Sequence, residues 1–299
     1  MKKRVMIPFC SLLLFASCLG GDDPEAVDLE APEIMANPGM SGVQPHYFFK
    51  ADATMSEIPL AFTVADASGI REIKIESHSG FDGHTHGKSA AARNLKFKLF
   101  NHNEVMGAER FDDPERFSLS SSIYLDERNP ELEADELILG GPYHFSIQAT
   151  DMEGNETTYR DGTTYHTTLY LNRPYAPQVA LTETGLSPTA LNGRIFRNMA
   201  HGASSDIGFL WIYTERPNTE NPAQEGLVVK ERIWGQSNWP HQSRSNSGDP
   251  LPHSRELSLQ ELLGLDSDFL ESLEAGNRLV IWAEDTNGNI SVHQFNINN

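Results

Sequence analysis

Two segments of the chain, far apart in the sequence, share one pattern: an alternating apolar run that ends in Asp-x-x-Gly-Asn. They cover residues 145–155 and 279–289. Alternation of apolar and other residues is typical of a β-strand with one buried face, and Gly and Asn tolerate the backbone conformations of a tight turn. The shared pattern therefore predicts strands that end in turns in both halves of the chain, and it indicates a duplicated β-unit.

The boundary between the two units is predicted near residues 172–177, because two prolines there make a stiff and extended linker. Short alternating strands separated by turn signals, with few helical stretches, indicate antiparallel sandwiches. The sequence therefore predicts an all-β protein with two tandem immunoglobulin-like antiparallel β-sandwich domains, over residues 28–173 and 174–299. Neither half has the Cys-Trp-Cys spacing of antibody domains, so the prediction concerns the fold class alone.

Two stretches of the second domain depart from the strand pattern. Ser258 and Glu261 form a capping-box pattern ahead of a leucine-rich stretch, which predicts one or two short helices. Residues 215–254 are rich in Pro, Asn, Ser and Gly, and they predict a long exposed loop, either mobile or functional. Trp234 and Trp239 lie in this loop, where they either cover a small core of the loop itself or bind a ligand.

The chain begins with four residues that include three basic ones, followed by an apolar run over residues 5–15. This run is shorter than the about 20 residues that a membrane-spanning helix needs, so residues 1–17 are predicted to be a signal peptide. The sequence Phe-Ala-Ser-Cys18 resembles the lipobox of bacterial lipoproteins. The resemblance implies cleavage before Cys18 and a diacylglycerol group on its thiol. Cys10 would leave with the signal peptide, so no disulfide is expected.

Residues 18–27 would then form a lipidated tether, because two or more acyl chains anchor a protein stably. The acidic pair Asp22-Asp23 resembles the surface-export signal of Bacteroidetes lipoproteins. We therefore expect an outer-membrane lipoprotein, at the cell surface or on the periplasmic face, that touches the membrane through its lipid only.

The chain carries 42 Asp and Glu against 23 Lys and Arg, a formal net charge of -19. This excess argues against a nucleic-acid partner, because nucleic acids are held by basic side chains. The sequence contains no Gly-x-Ser-x-Gly, no phosphate-binding loop and no His-Glu-x-x-His motif. We therefore predict a protein without enzyme activity.

Three of the 11 histidines, His78, His84 and His86, fall within nine residues. In an extended segment, residues i and i+2 project to one side about 6.5–7 Å apart, so the imidazoles of His84 and His86 can converge on one ion. A turn through Gly80 and Gly83 would bring His78 alongside. In the strand that leads to His78, the isoleucines take one face and His78 takes the polar face.

The strand that contains His144 turns three apolar side chains inward and His144 outward. His144 is thus a fourth candidate ligand if its strand neighbours the strand of His78. Asp82 is a further ligand candidate, or it orients one of the histidines. Neutral imidazoles suit Zn, Cu or Ni rather than Ca or Mg. The remaining histidines are predicted to be solvated or locally hydrogen-bonded: His46, His102, His166, His201, His241, His253 and His293.

The run His78-Ser-Gly-Phe-Asp82-Gly-His84-Thr-His86, together with Tyr143-His144-Phe145 and Asp151-Met-Glu-Gly-Asn155, resembles the lipoprotein family catalogued as domain of unknown function 4625. The resemblance implies a Bacteroidetes lipoprotein with immunoglobulin-like domains and a metal-related envelope role, often suggested alongside outer-membrane receptors. It also implies that His78, His84, His86 and His144 match the histidines of the family. It covers the first domain well and the second in outline only.

Together these features predict an envelope-anchored lipoprotein that binds a transition-metal ion, Zn or Cu, for capture or delivery. The predicted ligands are His78, His84, His86, His144 and Asp82, and an outer-membrane receptor is a candidate partner. One alternative is a surface glycan-binding lipoprotein that uses Trp234 and Trp239. Another is a receptor-associated scaffold in which the metal is only structural.

Overall fold

A computed structural model describes residues 28–36, 48–80, 97–181, 186–187, 190–220, 226–239, 241 and 244–298. Within these ranges, strands dominate and the helices are short. The chain is thus all-β, as predicted, with several antiparallel sheets.

Among the described residues, ten strands precede residue 172, and a short 3-10 helix, Ala108–Arg110, joins the sixth to the seventh. The strands are β1 (Glu33–Ala36), β2 (Phe48–Ala51), β3 (Glu57–Ala65), β4 (Ile70–Ser79), β5 (Phe97–Lys98), β6 (His102–Gly107), β7 (Arg116–Tyr124), β8 (Leu137–Ile138), β9 (Gly141–Asp151) and β10 (Tyr165–Leu171). One large sheet has the order β1-β3-β7, a second has the order β2-β10-β9-β4-β6, and β5 and β8 form a separate two-stranded sheet. Two pairs are parallel, β2 with β10 and β5 with β8, so the sandwich is mainly rather than wholly antiparallel.

Hydrophobic residues between the two sheets form a core that continues into the second half of the chain, where it includes Trp211, Ile290 and Val292. Ile73 and Ile75 of β4 are fully buried, and Phe145 and Ile147 of β9 lie beside them. Phe62 of β3 closes the core from the opposite sheet. Because the side chains of a strand alternate between its faces, burial of these residues turns their neighbours on β4 and β9 to the outer surface.

The two Asp-x-x-Gly-Asn segments form turns of the same design. Asp151 Oδ1 accepts hydrogen bonds from the backbone N–H groups of Gly154 and Asn155, at 2.6 and 2.7 Å. Asp285 Oδ1 likewise accepts from the N–H of Asn289 at 2.8 Å. Gly154 has a φ of 96°, a left-handed conformation that glycine adopts without a steric cost. The predicted turns are confirmed in both halves of the chain.

After residue 177, the described part of the chain has nine strands and two helices. They are β11 (Gln178–Ala180), β12 (Leu186–Ser187), β13 (Ala190–Leu191), β14 (Arg194–Phe196), β15 (Ile207–Arg216), β16 (Leu227–Gly235), β17 (Glu256–Ser258), α1 (Leu259–Leu263), α2 (Ser267–Glu271), β18 (Arg278–Asp285) and β19 (Ile290–Asn296). A sheet of order β16-β15-β18-β19 packs over a sheet of order β11-β14-β17, with a second hydrophobic core between them.

The two predicted short helices are present, but the capping box is not. Ser258 is the last residue of β17 and the N-cap residue of α1, but its side chain makes no hydrogen bond to the helix. Asp266 caps α2 instead, since its side chain accepts a hydrogen bond from the N–H of Phe269 at 3.0 Å.

The predicted long exposed loop over residues 215–254 is wrong in its main part. β15 continues to Arg216, and β16 pairs with it over most of its length. The segment after β16 then folds back over the sheet, where Arg244 forms an ion pair with Glu284 at 3.0 Å and both side chains are fully buried. The guanidinium of Arg244 also lies 4.3 Å from the centre of the Phe209 ring. Polar composition here reflects paired polar groups rather than exposure.

The residues around the proposed boundary are buried. Asn172 is 3 % exposed, donates its amide Nδ2–H to the carbonyl of Val292 and accepts the N–H of Val292, at 2.8 and 2.9 Å. Gly140 likewise donates to Asn289 Oδ1 and accepts from the N–H of Ile290. These contacts join the two sandwiches directly. In the described part of the chain, strands pair only with strands from their own side of the boundary, while the division at 173 and 174 stays a prediction.

We expect Asn172→Ala to lower the free energy of unfolding by about 2–3 kcal/mol, because it leaves two buried backbone groups of Val292 without partners. Urea denaturation of the variant and the wild type measures this loss. Asn101→Ala, at an exposed position, is the matched control and should cost much less. Equal losses in the two variants would show that the Asn172 amide does not stabilise the junction.

Stability should also fall in acid, because burial lowers the pKa of His293 to about 4, with a further contribution from Lys50. The unfolded chain takes up a proton near the ordinary imidazole pKa of about 6.5, whereas the folded chain keeps this ring neutral. The neutral ring therefore contributes its full stability above the unfolded-state pKa, and this contribution is lost as the pH falls toward 4. For one such group, the free energy of unfolding decreases by about 2 kcal/mol between about pH 7 and about pH 5.

Urea midpoints measured across this range test the effect. The variant His293→Asn should show a shallower decline than the wild type, whatever its stability at neutral pH. His253→Asn, at an exposed side chain, is the matched control. An unchanged slope in His293→Asn would contradict the assignment.

Candidate functional site

Two of the predicted metal ligands, His78 and His144, lie side by side on the outer face of the first sandwich. They are direct partners in the antiparallel pairing of β4 with β9, and both side chains are exposed. Their ring centroids are 5.4 Å apart, with the ring planes tilted by 52°. The fold thus meets the condition for His144, since its strand is the neighbour of the strand that carries His78.

The surroundings of this pair, which we call the histidine pair, are polar and open. Glu76 Oε1 lies 3.8 Å from His78 Nδ1, and Lys74 donates to the other oxygen of Glu76. Gly80 follows at the end of β4, and a Cβ atom there would lie 3.2 Å from His144 Nε2. Glycine at this position therefore leaves the space beside that nitrogen clear.

Three other predicted ligands, Asp82, His84 and His86, lie outside the described residues. Cys18, the predicted lipidation site, and the predicted signal peptide also lie outside them. Among the described residues, no helix has the length and hydrophobicity that crossing a membrane requires.

The histidines predicted to be solvated or locally hydrogen-bonded divide into different environments. His166 is exposed and packs against Tyr159, with ring centroids 5.6 Å apart. His241 packs against both Trp211 and Trp282, and burial together with Arg244 lowers its pKa to about 4. His293 is also largely enclosed, and its Nε2 lies 3.5 Å from the amide nitrogen of Asn172, which agrees with a locally hydrogen-bonded ring.

The two tryptophans of the glycan-binding alternative are buried. Trp234 is 7 % exposed and belongs to the core of the second sandwich. Trp239 is 3 % exposed and donates its indole Nε1–H to the carbonyl of Gly288 at 2.7 Å. Neither ring offers an exposed face to a sugar. The prediction that these two tryptophans form a glycan-binding site is therefore wrong.

A group of three carboxylates, from Asp28, Asp66 and Asp151, was not recognised in the sequence. Oxygen atoms of the three lie within 4.8 Å of one another. Burial opposes ionisation of Asp151, but hydrogen bonds from Asn155 and Gly154 lower its pKa overall. The sequence signals at Asp66 and Asp151 predict turns, and only the folded chain brings Asp28 beside them.

Comparisons with solved structures give similarity at low sequence identity. The chain is similar to a tetra-tandem repeat in the extending region of a large adhesion protein, at 12 % identity over 89 % of this chain and 48 % of that chain, with a TM-score of 0.28. It is similar to dimeric latent PorU from Porphyromonas gingivalis, at 12 % identity over 90 % of this chain and 20 % of that chain, with a TM-score of 0.25. It is also similar to the fibronectin(III)-like modules of Clostridium thermocellum CbhA, at 11 % identity over 88 % of this chain and 91 % of that chain, with a TM-score of 0.19.

The chain therefore spans about half the length of the first of these structures and a fifth of the second. No protein with a curated description matches it.

The family comparison concerns the first half of the chain. Residues 16–164 match the model of a family described as a domain of unknown function, DUF4625. This range includes β1 to β9 and therefore both members of the histidine pair. The match confirms the resemblance drawn from the motifs, and through residues 16–164 the chain belongs to the DUF4625 family.

Proposed function

We propose that the first sandwich binds one transition-metal ion, Zn or Cu, through the histidine pair. The observation that carries this proposal is the 5.4 Å distance between the two ring centroids on adjacent strands. Imidazole is a ligand that suits these ions, and two rings held side by side can share one of them.

The distance fits a shared ion. A Zn–N bond of about 2.0–2.1 Å places the ion about 3 Å from the centre of each ring, and a tetrahedral angle then separates the two centres by about 5 Å. The observed separation is close to this value. Because the pairing of β4 with β9 fixes both Cα positions, binding would need little movement of the backbone.

Glu76 supports one particular mode of binding. Its carboxylate lies on the Nδ1 side of His78, which leaves Nε2 to face the ion. A carboxylate next to the nitrogen that does not bind the metal commonly orients a ligating histidine and raises its basicity. Gly80 keeps the corresponding space beside His144 Nε2 free of a side chain.

We propose that Asp82, His84 and His86 complete the ligand set. Two imidazoles alone leave a tetrahedral ion two ligands short. The chain reaches residue 82 only four positions after His78, so these side chains are available over a short length of chain.

The proposed role is capture or delivery of the ion at the cell envelope, without catalysis, by a lipoprotein anchored through Cys18 in the outer membrane. A receptor of that membrane would be the recipient. Trp234 and Trp239 have no part in the proposed function, because both residues are buried.

We expect His78→Ala and His144→Ala each to weaken Zn²⁺ binding by more than about tenfold, because each removes a direct ligand. The double variant His84→Ala/His86→Ala should do the same. Calorimetric titration of residues 19–299 with Zn²⁺ and Cu²⁺ measures the affinity and the stoichiometry, and this fragment contains neither cysteine.

His166→Ala is the matched control, since His166 is also exposed on the sheet that carries the histidine pair. Its affinity should equal that of the wild type. Unchanged affinity in both His78→Ala and His144→Ala would exclude the histidine pair as the site. Loss of binding in the His84→Ala/His86→Ala variant alone would place the ion elsewhere on the chain.

A further inference from the structure

A pocket of about 350 Å³ opens at the edge of the first sandwich, beside the edge strands β6 and β7. We call it the edge pocket. Residues with polar groups among those that line it are His102, Asn103, Glu104, Ser122, Tyr124 and Glu131. Its volume lies in the range typical of small-molecule sites, which is about 300–1,000 Å³. We propose that the edge pocket binds one ring of a neutral, polyhydroxylated ligand, that is, a saccharide.

The first argument is an unused hydrogen-bonding atom. Within the described part of the chain, His102 Nε2 is buried and has no hydrogen-bond partner. Burial lowers the pKa of His102, while Glu104 and Glu131 act in the opposite direction, so the ring is neutral at neutral pH. A buried polar atom without a partner is costly. Because the His102 side chain lines the pocket, a small rotation of its ring toward the pocket would let a ligand group supply the missing partner of Nε2.

The second argument is the distance from this atom to the nearest carboxylate. Glu104 Oε2 lies 3.9 Å from His102 Nε2, which is too long for a direct hydrogen bond. Two atoms that share one hydroxyl group as partner, each at about 2.8 Å, lie about 4–5 Å apart. A hydroxyl can donate to the carboxylate and accept from the imidazole N–H at the same time. The spacing therefore fits a ligand hydroxyl, whereas an anionic ligand group would be repelled by Glu104.

The third argument is the local balance of charge, which differs from the strong negative charge of the whole chain. Glu104 Oε1 is paired with Arg110 at 3.1 Å. Lys98 donates to the backbone carbonyl of Glu131 and forms its ion pair with Glu136. Arg110 thus offsets the charge of Glu104, the carboxylate nearest to His102 Nε2, and this pairing favours an uncharged ligand group beside it.

Tyr124 gives the pocket a flat apolar wall. The residue is 36 % exposed, and the guanidinium of Arg128 lies 4.2 Å from the centre of its ring. The C–H face of a sugar ring packs on such a surface while its hydroxyls reach the polar groups beside it. An aromatic wall with amide, carboxylate and imidazole partners therefore fits a saccharide ring.

The experiment follows the imidazole resonances of His102 by NMR while neutral sugars are added in the presence of a chelator. The probes are the methyl glycosides of glucose, galactose, mannose, N-acetylglucosamine and xylose, at millimolar concentrations. We expect at least one of them to shift the His102 resonances saturably. His102→Ala and Tyr124→Ala should each lower its affinity about fivefold to tenfold, as measured on the remaining pocket resonances, because each removes one contact.

The matched controls are His166→Ala and Tyr159→Ala, which remove the exposed histidine and tyrosine that pack together elsewhere on this sandwich. Both should bind as the wild type does. Glu104→Gln keeps the shape of its side chain and provides a second test if His102→Ala fails to fold. The proposal is overturned if no glycoside gives a saturable shift, or if the affinity is the same in the pocket variants and the controls. Because a chelator is present, failure here would leave the proposed metal site unaffected.

Discussion

The antiparallel register of β4 with β9 is the constraint on which the rest of the first sandwich depends. It sets Ile73 and Ile75 into the core and, at the far end of the same strand, places His78 opposite His144. The turn at Asp151 pins the other end, where the side-chain carboxylate binds the backbone of its own turn. A slip of one residue would move the isoleucines outward and the histidines inward, so the core enforces the geometry of the site.

The sequence predicts which face a residue takes far better than which strand lies next to it. Alternation alone assigns His78 and His144 to outer faces, but their contact depends on a strand pairing across 66 residues of chain. The region 215–254 shows that composition does not predict burial. Its polar composition predicts exposure, yet Arg244 and Glu284 neutralise each other in the interior, and Trp239 finds a carbonyl partner. Pairing of polar groups removes the cost of burial, and composition does not report pairing.

The junction between the sandwiches follows the same logic. The prolines at positions 174 and 177 predict a stiff linker. The two residues that precede the first proline, Asn172 and Arg173, are nevertheless buried. The amide of Asn172 supplies both a donor and an acceptor to Val292, as a neighbouring strand would. The side chain of Asn289 accepts a hydrogen bond from the N–H of Gly140. The same side chain donates to the carboxylate of Asp285, so the turn holds it in position. The repeated turn thus has a second use in the second sandwich, where it helps join the two units.

The histidine pair and the edge pocket lie on opposite faces of one sheet, because consecutive side chains of a strand point to opposite faces. Ser77 and His78 are consecutive, so they face opposite sides of the sheet, and His102 is the strand partner of Ser77 rather than of His78. The outer face carries exposed imidazoles beside a glycine, which suits an ion that needs several ligands around it. The inner edge carries a single neutral imidazole with a paired carboxylate, which suits hydroxyl groups. Because His102 pairs with Ser77 and His78 pairs with His144, a substitution at one site removes no strand partner from the other.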